Sequence, residues 1–377
     1  MKFMKNGNAT KLVAFFLIAA ALMCTVGFAS GGWQSIALNQ PDSGNADEKT
    51  DDADENIDGV SPENQGGESS DNLPVVNPAP VYYDYLTGLE ISQEESYIKY
   101  CCFTLNSDAP MYGTSSNAIT VEIPTEDGKT RFLVFKKDAL STGKIGSLAP
   151  GRKYISYVAS FFDSLYFCNG FDDAFNYDIP SFGNNALNFK ETLGYSYTEY
   201  SQYVYTNGDL VNAFIKNSEL NQVKTEKSEL PFNFRELSGE NILGTASANN
   251  VIIPYSDANS TELTYNKTTK KYVLSKNGQV KYDFLYDKEM EYDNIFVLFA
   301  DSVTYETKDS TESVLNTHTE GEGYYVTHGT IMKIYWRVNA AGELEFFNTS
   351  DEKLTVNRGT SYISYVKSSQ SESVKIS

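Results

Sequence analysis

The groups best able to do chemistry are scarce in this chain. Among 377 residues there are two histidines, His318 and His328, four cysteines and five arginines. Zinc sites draw on three or four such ligands at set spacings. Neither histidine falls in one, so both read as surface or turn residues. Asp172-Asp173 and Asp178 follow the apolar run that ends at Cys168. Paired carboxylates can divide general acid and base duties. Acids placed at a helix N-terminus, favoured by its dipole, are the plainer reading. Ser-x-x-Lys occurs at Ser96/Lys99, Ser141/Lys144 and Ser364/Lys367. The Lys-Thr-Gly partner of that motif is missing, and so is a Gly-x-Ser-x-Gly elbow. Without a phosphate loop or dinucleotide fingerprint, no cofactor and no metal are expected.

Tyrosines crowd at Tyr195, Tyr197, Tyr200, Tyr203 and Tyr205, and again at Tyr324-Tyr325. Such rings either stack on sugars and partner surfaces or pack half-buried in sheets. Charge narrows the partners. Lys+Arg is 30 against Asp+Glu 50, a net charge of −20. A nucleic-acid binder needs a basic surface, so nucleic acid is excluded as a partner.

The elements that must position these residues begin after an address. Lys2, Lys5 and Lys11 precede an apolar run from Leu12 to Phe28, the pattern of an export signal. Gly27 and Ala29 suit a cut after Ala29. A retained anchor and lipid attachment at Cys24 are the alternatives, and each exports the remainder to a membrane- or wall-associated location. Residues 30–80 then hold 11 acids and a single lysine. So little apolar surface cannot offset the entropy of ordering, and the segment reads as an acidic disordered linker. Asp54, Asn56, Asp58 and Gly59 imitate the start of a calcium loop, but Gln65 stands where the bidentate Glu belongs.

Residues 81–243 mix periods. Tyr97 to Leu105 reads as a buried strand. Asp127-Gly128 between two β-rich runs signals a hairpin. Tyr154, Ile155, Val158, Phe161 and Phe162 recur at helical spacing after Pro150-Gly151, and Ser164 to Cys168 follows as a strand. Asn207-Gly208-Asp209 opens another helix. This alternation predicts an α/β domain. Residues 244–367 carry only strand patterns, with hairpins at Asn277-Gly278 and Ala341-Gly342, and predict an antiparallel β-rich domain. The fold class expected is therefore α+β overall, with 368–377 as a flexible tail. Tyr-Ile-Ser-Tyr-Val occurs at both 154–158 and 362–366, first at helical spacing and then in a strand. Cys101-Cys102 and Cys168 lie on strands flanking a crossover helix. Neighbouring strands run about 4.8 Å apart, within disulfide reach. A bridge from Cys168 to one of the pair and three buried thiols are both open.

The body resembles the YerB-like family of secreted bacterial lipoproteins, built from two linked domains of unknown function. The resemblance spans roughly 83–366. It rests on Tyr85-Leu86-Thr87-Gly88, Gly128-Lys129-Thr130-Arg131-Phe132, the Ile145–Arg152 segment, Val204-Tyr205-Thr206 and Pro231-Phe232-Asn233-Phe234. The family's first arginine before the helix is Ala149 here. Its His-Ala-Gly-Gly is Cys168-Asn169-Gly170-Phe171, and a further histidine falls at Gln202. Arg131, Arg152, Cys168, Asn169, Asp172 and Tyr205 are the candidate binding residues that remain. The family itself has no established activity, and the reading favoured is an exported envelope protein that binds or scaffolds an envelope protein or cell-wall component. An enzyme acting on envelope glycan or peptide, and a glycan-binding module, are the alternatives. Limited proteolysis of the whole protein is expected to cut within 30–80 well before the body; preferential cutting of the body would overturn this division.

Overall fold

The computed structural model describes residues 80–170, 186–188, 194–199, 202–223, 231–306 and 311–377. The segment expected to direct export, the expected linker up to residue 79 and the acids Asp172, Asp173 and Asp178 lie outside the described residues. The elements that carry the architecture are, in chain order, β1 (Cys101–Asn106), β2 (Ile119–Pro124), β3 (Thr130–Lys136), β4 (Ile145–Leu148), α1 (Lys153–Phe161), β5 (Leu165–Cys168), β6 (Tyr203–Thr206), α2 (Gly208–Asn217), β7 (Asn250–Ser256), β8 (Asn259–Asn266), β9 (Lys271–Lys276), β10 (Asn294–Ala300), β11 (Glu320–Thr327), β12 (Thr330–Val338) and β13 (Ser361–Lys367).

Local chemistry accounts for many of these boundaries. Gly128, at φ +74°, turns β2 into β3. Asn277 and Gly278, at φ +52° and +75°, supply the two left-handed residues of a type I′ turn after β9. The Asn207 side chain accepts a hydrogen bond from Leu210 N at 2.9 Å and caps α2. α1 buries Tyr154, Ile155, Val158, Ala159 and Phe161 along one face. The repeated pentapeptide is helical in α1 and extended in β13, because packing context overrides propensity in so short a piece.

The fold is β-rich. One sheet runs in the order Ala246–Ser247, β12, β11, β10, β13, β2, β3, β1, β4, β6, Tyr197–Glu199. Its seam is β13, which lies parallel to β10 on one side and to β2 on the other. The sequence halves on either side of residue 244 therefore share a sheet, and Val76–Ser377 is one compact unit. Between strands of the first half, the parallel pairs among the described residues are β1 with β5 and β5 with Ala186–Asn188. Among the described residues the expected α/β alternation is seen in the crossover through α1, whereas the hairpin at Gly128 sets β2, β3 and β1 antiparallel. A second sheet, Gln279–Val280, β9, β8, β7, Lys375–Ile376, packs on one face of the first. Val251, Ile253, Leu263 and Leu274 meet Phe132, Val134, Ile295 and Val297 there. The opposite face buries Ile119, Val121, Ile123 and Phe296 beneath α1, Phe232 and Trp336. Residues 368–377 are not a loose tail: Lys375–Ile376 pairs with β7, and Val374 and Ile376 pack on the core.

A buried ion pair stands between the sheets. Glu122 of β2 is fully buried, and Lys276 of β9 is 3% exposed. Their Nζ–Oε1 distance is 2.5 Å. Thr130 Oγ1 also donates to Oε1, at 2.6 Å, while Thr261 Oγ1, at 2.7 Å, and Tyr362 Oη donate to Oε2. Burial pushes this carboxyl up, but Lys276 and the hydroxyls hold it below its ordinary range. Because the folded value lies below the unfolded one, the associated stability is complete above the unfolded carboxylate range. It is lost as pH falls through the lowered value. Lys276→Met, which strands the carboxylate, is expected to cost about 3–5 kcal/mol in urea unfolding at pH 7. Adding Glu122→Gln should recover much of that loss, and a double variant no more stable than Lys276→Met would contradict the pairing.

Candidate functional site

The β2–β3 turn and the start of α1 form a charged cluster. Thr125 Oγ1 donates to Asp127 Oδ1 at 2.6 Å and shapes the turn that carries Glu126. Arg152, 4% exposed, precedes α1. Its Nη2 and Nε reach Glu126 Oε1 at 2.7 and 3.0 Å. Tyr154 Oη donates to Glu126 Oε2 at 2.9 Å. Burial raises the Glu126 carboxyl, but the Arg152 contacts bring it below its ordinary range. Arg131, on β3, is 8% exposed and shares this neighbourhood. Burial and then the charge of Arg152 lower its pKa, while Asp127 and Glu126 act in the other direction.

The end of β5 joins the same region through the backbone. Asn169 N donates to Ala149 O at 3.0 Å, and Gly151 N to Gly170 O at 2.8 Å. Of the candidate residues, Arg131, Arg152, Cys168 and Asn169 thus gather at one end of the sheet. Asp172 lies outside the described residues. Tyr205 belongs elsewhere: Lys144 Nζ sits 4.0 Å from the ring centres of both Tyr112 and Tyr205 and 2.6 Å from Glu199. Tyr195 packs on Phe214 with centroids 4.6 Å apart. These two tyrosines of the run therefore serve packing. His328 is a turn residue at φ +49°, and His318 lies 6.0 Å from the Tyr157 ring. Among the described residues no group of three His, Cys, Asp or Glu is placed to hold a metal ion.

Cys101, Cys102 and Cys168 are buried thiols rather than halves of a disulfide. β1 and β5 are indeed neighbours, but Cys102 pairs with Tyr166 and Phe103 with Phe167. Cys168 then lies two residues beyond Cys102, about 8 Å away at standard strand spacings, outside disulfide range. Cys101 faces the other core. Burial pushes the Cys101 thiol up to about 12 and Cys102 well above its ordinary value.

A second candidate, not evident from sequence, is a cleft of about 390 Å³ between the Asp108–Met111 loop and the hairpin after β9, with Tyr203 at its edge. Lys281 Nζ donates to Ala109 O at 2.9 Å, and burial lowers its amine to about 8. Val280 and Phe284 are 47% and 57% exposed. The walls are fastened by Asp283, fully buried, which accepts from Gly113 N, Thr114 N and Ser115 N at 2.8, 2.7 and 2.7 Å. Phe284 N donates to Met111 O at 3.0 Å. The signal available in the sequence was the alternation of Val280, Tyr282 and Phe284, a strand pattern that does not reveal the turn exposing Phe284.

Several segments that carry the family resemblance act as fold staples. A Cβ on Gly88, at φ +66°, would lie 2.6 Å from the Phe234 ring. Gly359 N donates to Thr87 O at 2.8 Å, and Arg358 Nη1 to Gly88 O. Phe232 stacks on Phe346 at 5.8 Å. Non-reduced, denatured protein is expected to show three alkylated cysteines in the body, and the native protein almost none at neutral pH. One modified body cysteine after denaturation would show a bridge instead.

Comparison with known proteins agrees with this architecture. Residues 251–363 match the family described as a protein of unknown function (DUF3048), C-terminal domain. The structure matches the crystal structure of the YerB protein from Bacillus subtilis with a TM-score of 0.67 and 19% identity, covering 78% of this chain and 99% of that one. No curated protein matches the sequence. The chain is YerB-like in fold, and its residues 251–363 are similar to the C-terminal domain described as DUF3048.

Proposed function

We propose that the chain is an exported cell-envelope protein that acts by binding, as a non-catalytic scaffolding partner of envelope machinery. Its basic-then-apolar N-terminus holds it at the membrane or directs its export, and the acidic linker sets the body away from the bilayer. The observation that carries the reading is the cleft beside Phe284. Asp283 fixes both walls through backbone donors, so an exposed aromatic edge is presented on a preformed surface. Preorganised aromatic anchors are the residues that dominate binding energies at interfaces.

A photo-crosslinking side chain at position 284 of the whole protein, in cells, tests this. Capture of a discrete envelope protein is expected, with none from the same side chain at Lys375. Phe284→Ala should weaken the captured partner's affinity at least tenfold, about 1.4 kcal/mol or more. No adduct above the control would overturn the reading. So would turnover of isolated envelope glycan, which would favour the enzyme alternative, or glycan-array binding lost in Phe284→Ala, which would favour a glycan module.

A further inference from the structure

The charged cluster at the start of α1 is unbalanced in one respect. Glu126 is occupied by Arg152 and Tyr154. Asp127 is engaged by Thr125 Oγ1, by Lys129 N at 3.2 Å and by Lys129 Nζ at 3.5 Å. Arg131 has no carboxylate of its own among the described residues. Its Nη1 donates to the Thr130 carbonyl at 3.1 Å, and its buried Nε has no hydrogen-bond partner. A guanidinium this buried normally has its donors met, since an unpaired buried charge is costly. Asp127 and Glu126 lie within electrostatic range of Arg131 but are engaged by donors of their own, and the other features nearby are positive. Arg152 is a close electrostatic neighbour, and α1, nine residues long, has no acid in its first turn and no side-chain cap at its N-terminus. Helix N-termini favour anions. In a chain of net charge −20 with five arginines, two are spent here.

We propose that Arg131, beside Arg152 and the N-terminus of α1, anchors a binding site for a small oxyanion: the phosphate or carboxylate group of a ligand. The guanidinium edge supplies the fork that matches such oxygens, and Arg152 stays paired with Glu126 as the positioning residue. The site is independent of the cleft beside Phe284.

Calorimetric titration and thermal unfolding of the full chain test this, with sodium phosphate and sodium acetate in separate arms against chloride at matched ionic strength. Saturable binding and a rise in Tm are expected in at least one arm, and the stronger arm identifies the group. Arg131→Gln should weaken that binding at least tenfold. Arg131→Lys, which keeps the charge but not the fork, should fall between. In chloride alone, Arg131→Gln should unfold at the same or a higher temperature than the parent chain, because it removes a buried cation whose Nε has no hydrogen-bond partner. No saturable response to either anion would overturn the proposal, as would a response unchanged in Arg131→Gln. A variant that unfolds earlier in chloride, or fails to fold, would show that Arg131 is structural.

Discussion

The junction of the two sheets depends on the completeness with which Glu122 is solvated by the protein itself. A buried carboxylate costs several kcal/mol to desolvate, and attraction to one cation seldom repays that unless its remaining lone pairs are filled. Here one ammonium and three hydroxyls fill them, from Lys276, Thr130, Thr261 and Tyr362. Those donors come from β9, β3, β8 and β13. A single side chain on β2 thereby specifies how the second sheet sits over the seam at which β13 joins the halves. Apolar contacts beneath it supply burial, but they do not discriminate one sliding register from another as sharply as a charge that must meet four partners.

The same logic recurs where loops are fixed rather than sheets. Asp283 is held by three consecutive backbone donors of the Gly113–Ser115 segment. Asp84 accepts from Leu86 N, Thr87 N, Tyr100 Oη and Lys137 Nζ. Burial raises the Asp84 carboxyl, yet Lys137 and these donors leave it below its ordinary range. An acidic chain thus turns a small share of its carboxylates inward as structural centres. Asp283 orders the Gly113–Ser115 segment, which has no apolar side chain of its own.

This also explains what was legible in the sequence. The turns at Asp127-Gly128, Asn277-Gly278 and Ala341-Gly342 announced themselves, because left-handed backbone geometry selects their residues locally. The periodicity of α1 and the Asn207 cap were equally local. The seam was not, since Ser361 pairs with Ile119 across 242 positions and no local pattern encodes that. Glu122 is concealed by its alternation, since Thr120 and Glu122 between Ile119, Val121 and Ile123 have the pattern of a strand with one face in solvent. Both are buried, because a second sheet covers that face. At the candidate site, Arg131 and Arg152 could be named from sequence, whereas Lys281 and Phe284 depended on a turn held by Asp283.

Arg152 and Arg131 show why burial alone does not define a site. Both are withdrawn from solvent at the same end of the sheet. Arg152 meets a carboxylate through two nitrogens, and that carboxylate meets a tyrosine besides, so its charge is consumed in tying α1 to the β2–β3 turn. Arg131 is placed by its strand; its electrostatic neighbours include Arg152 and the already engaged Asp127 and Glu126, and among the described residues its hydrogen bond is to the carbonyl of the residue before it. A structural arginine could be replaced by an apolar side chain of similar size with little loss once its partner went too. Retaining an under-paired one lowers stability, and an anion at the guanidinium, as proposed for Arg131, would offset that cost. The distinction between the two arginines therefore lies in the balance of charge around them, which burial does not report.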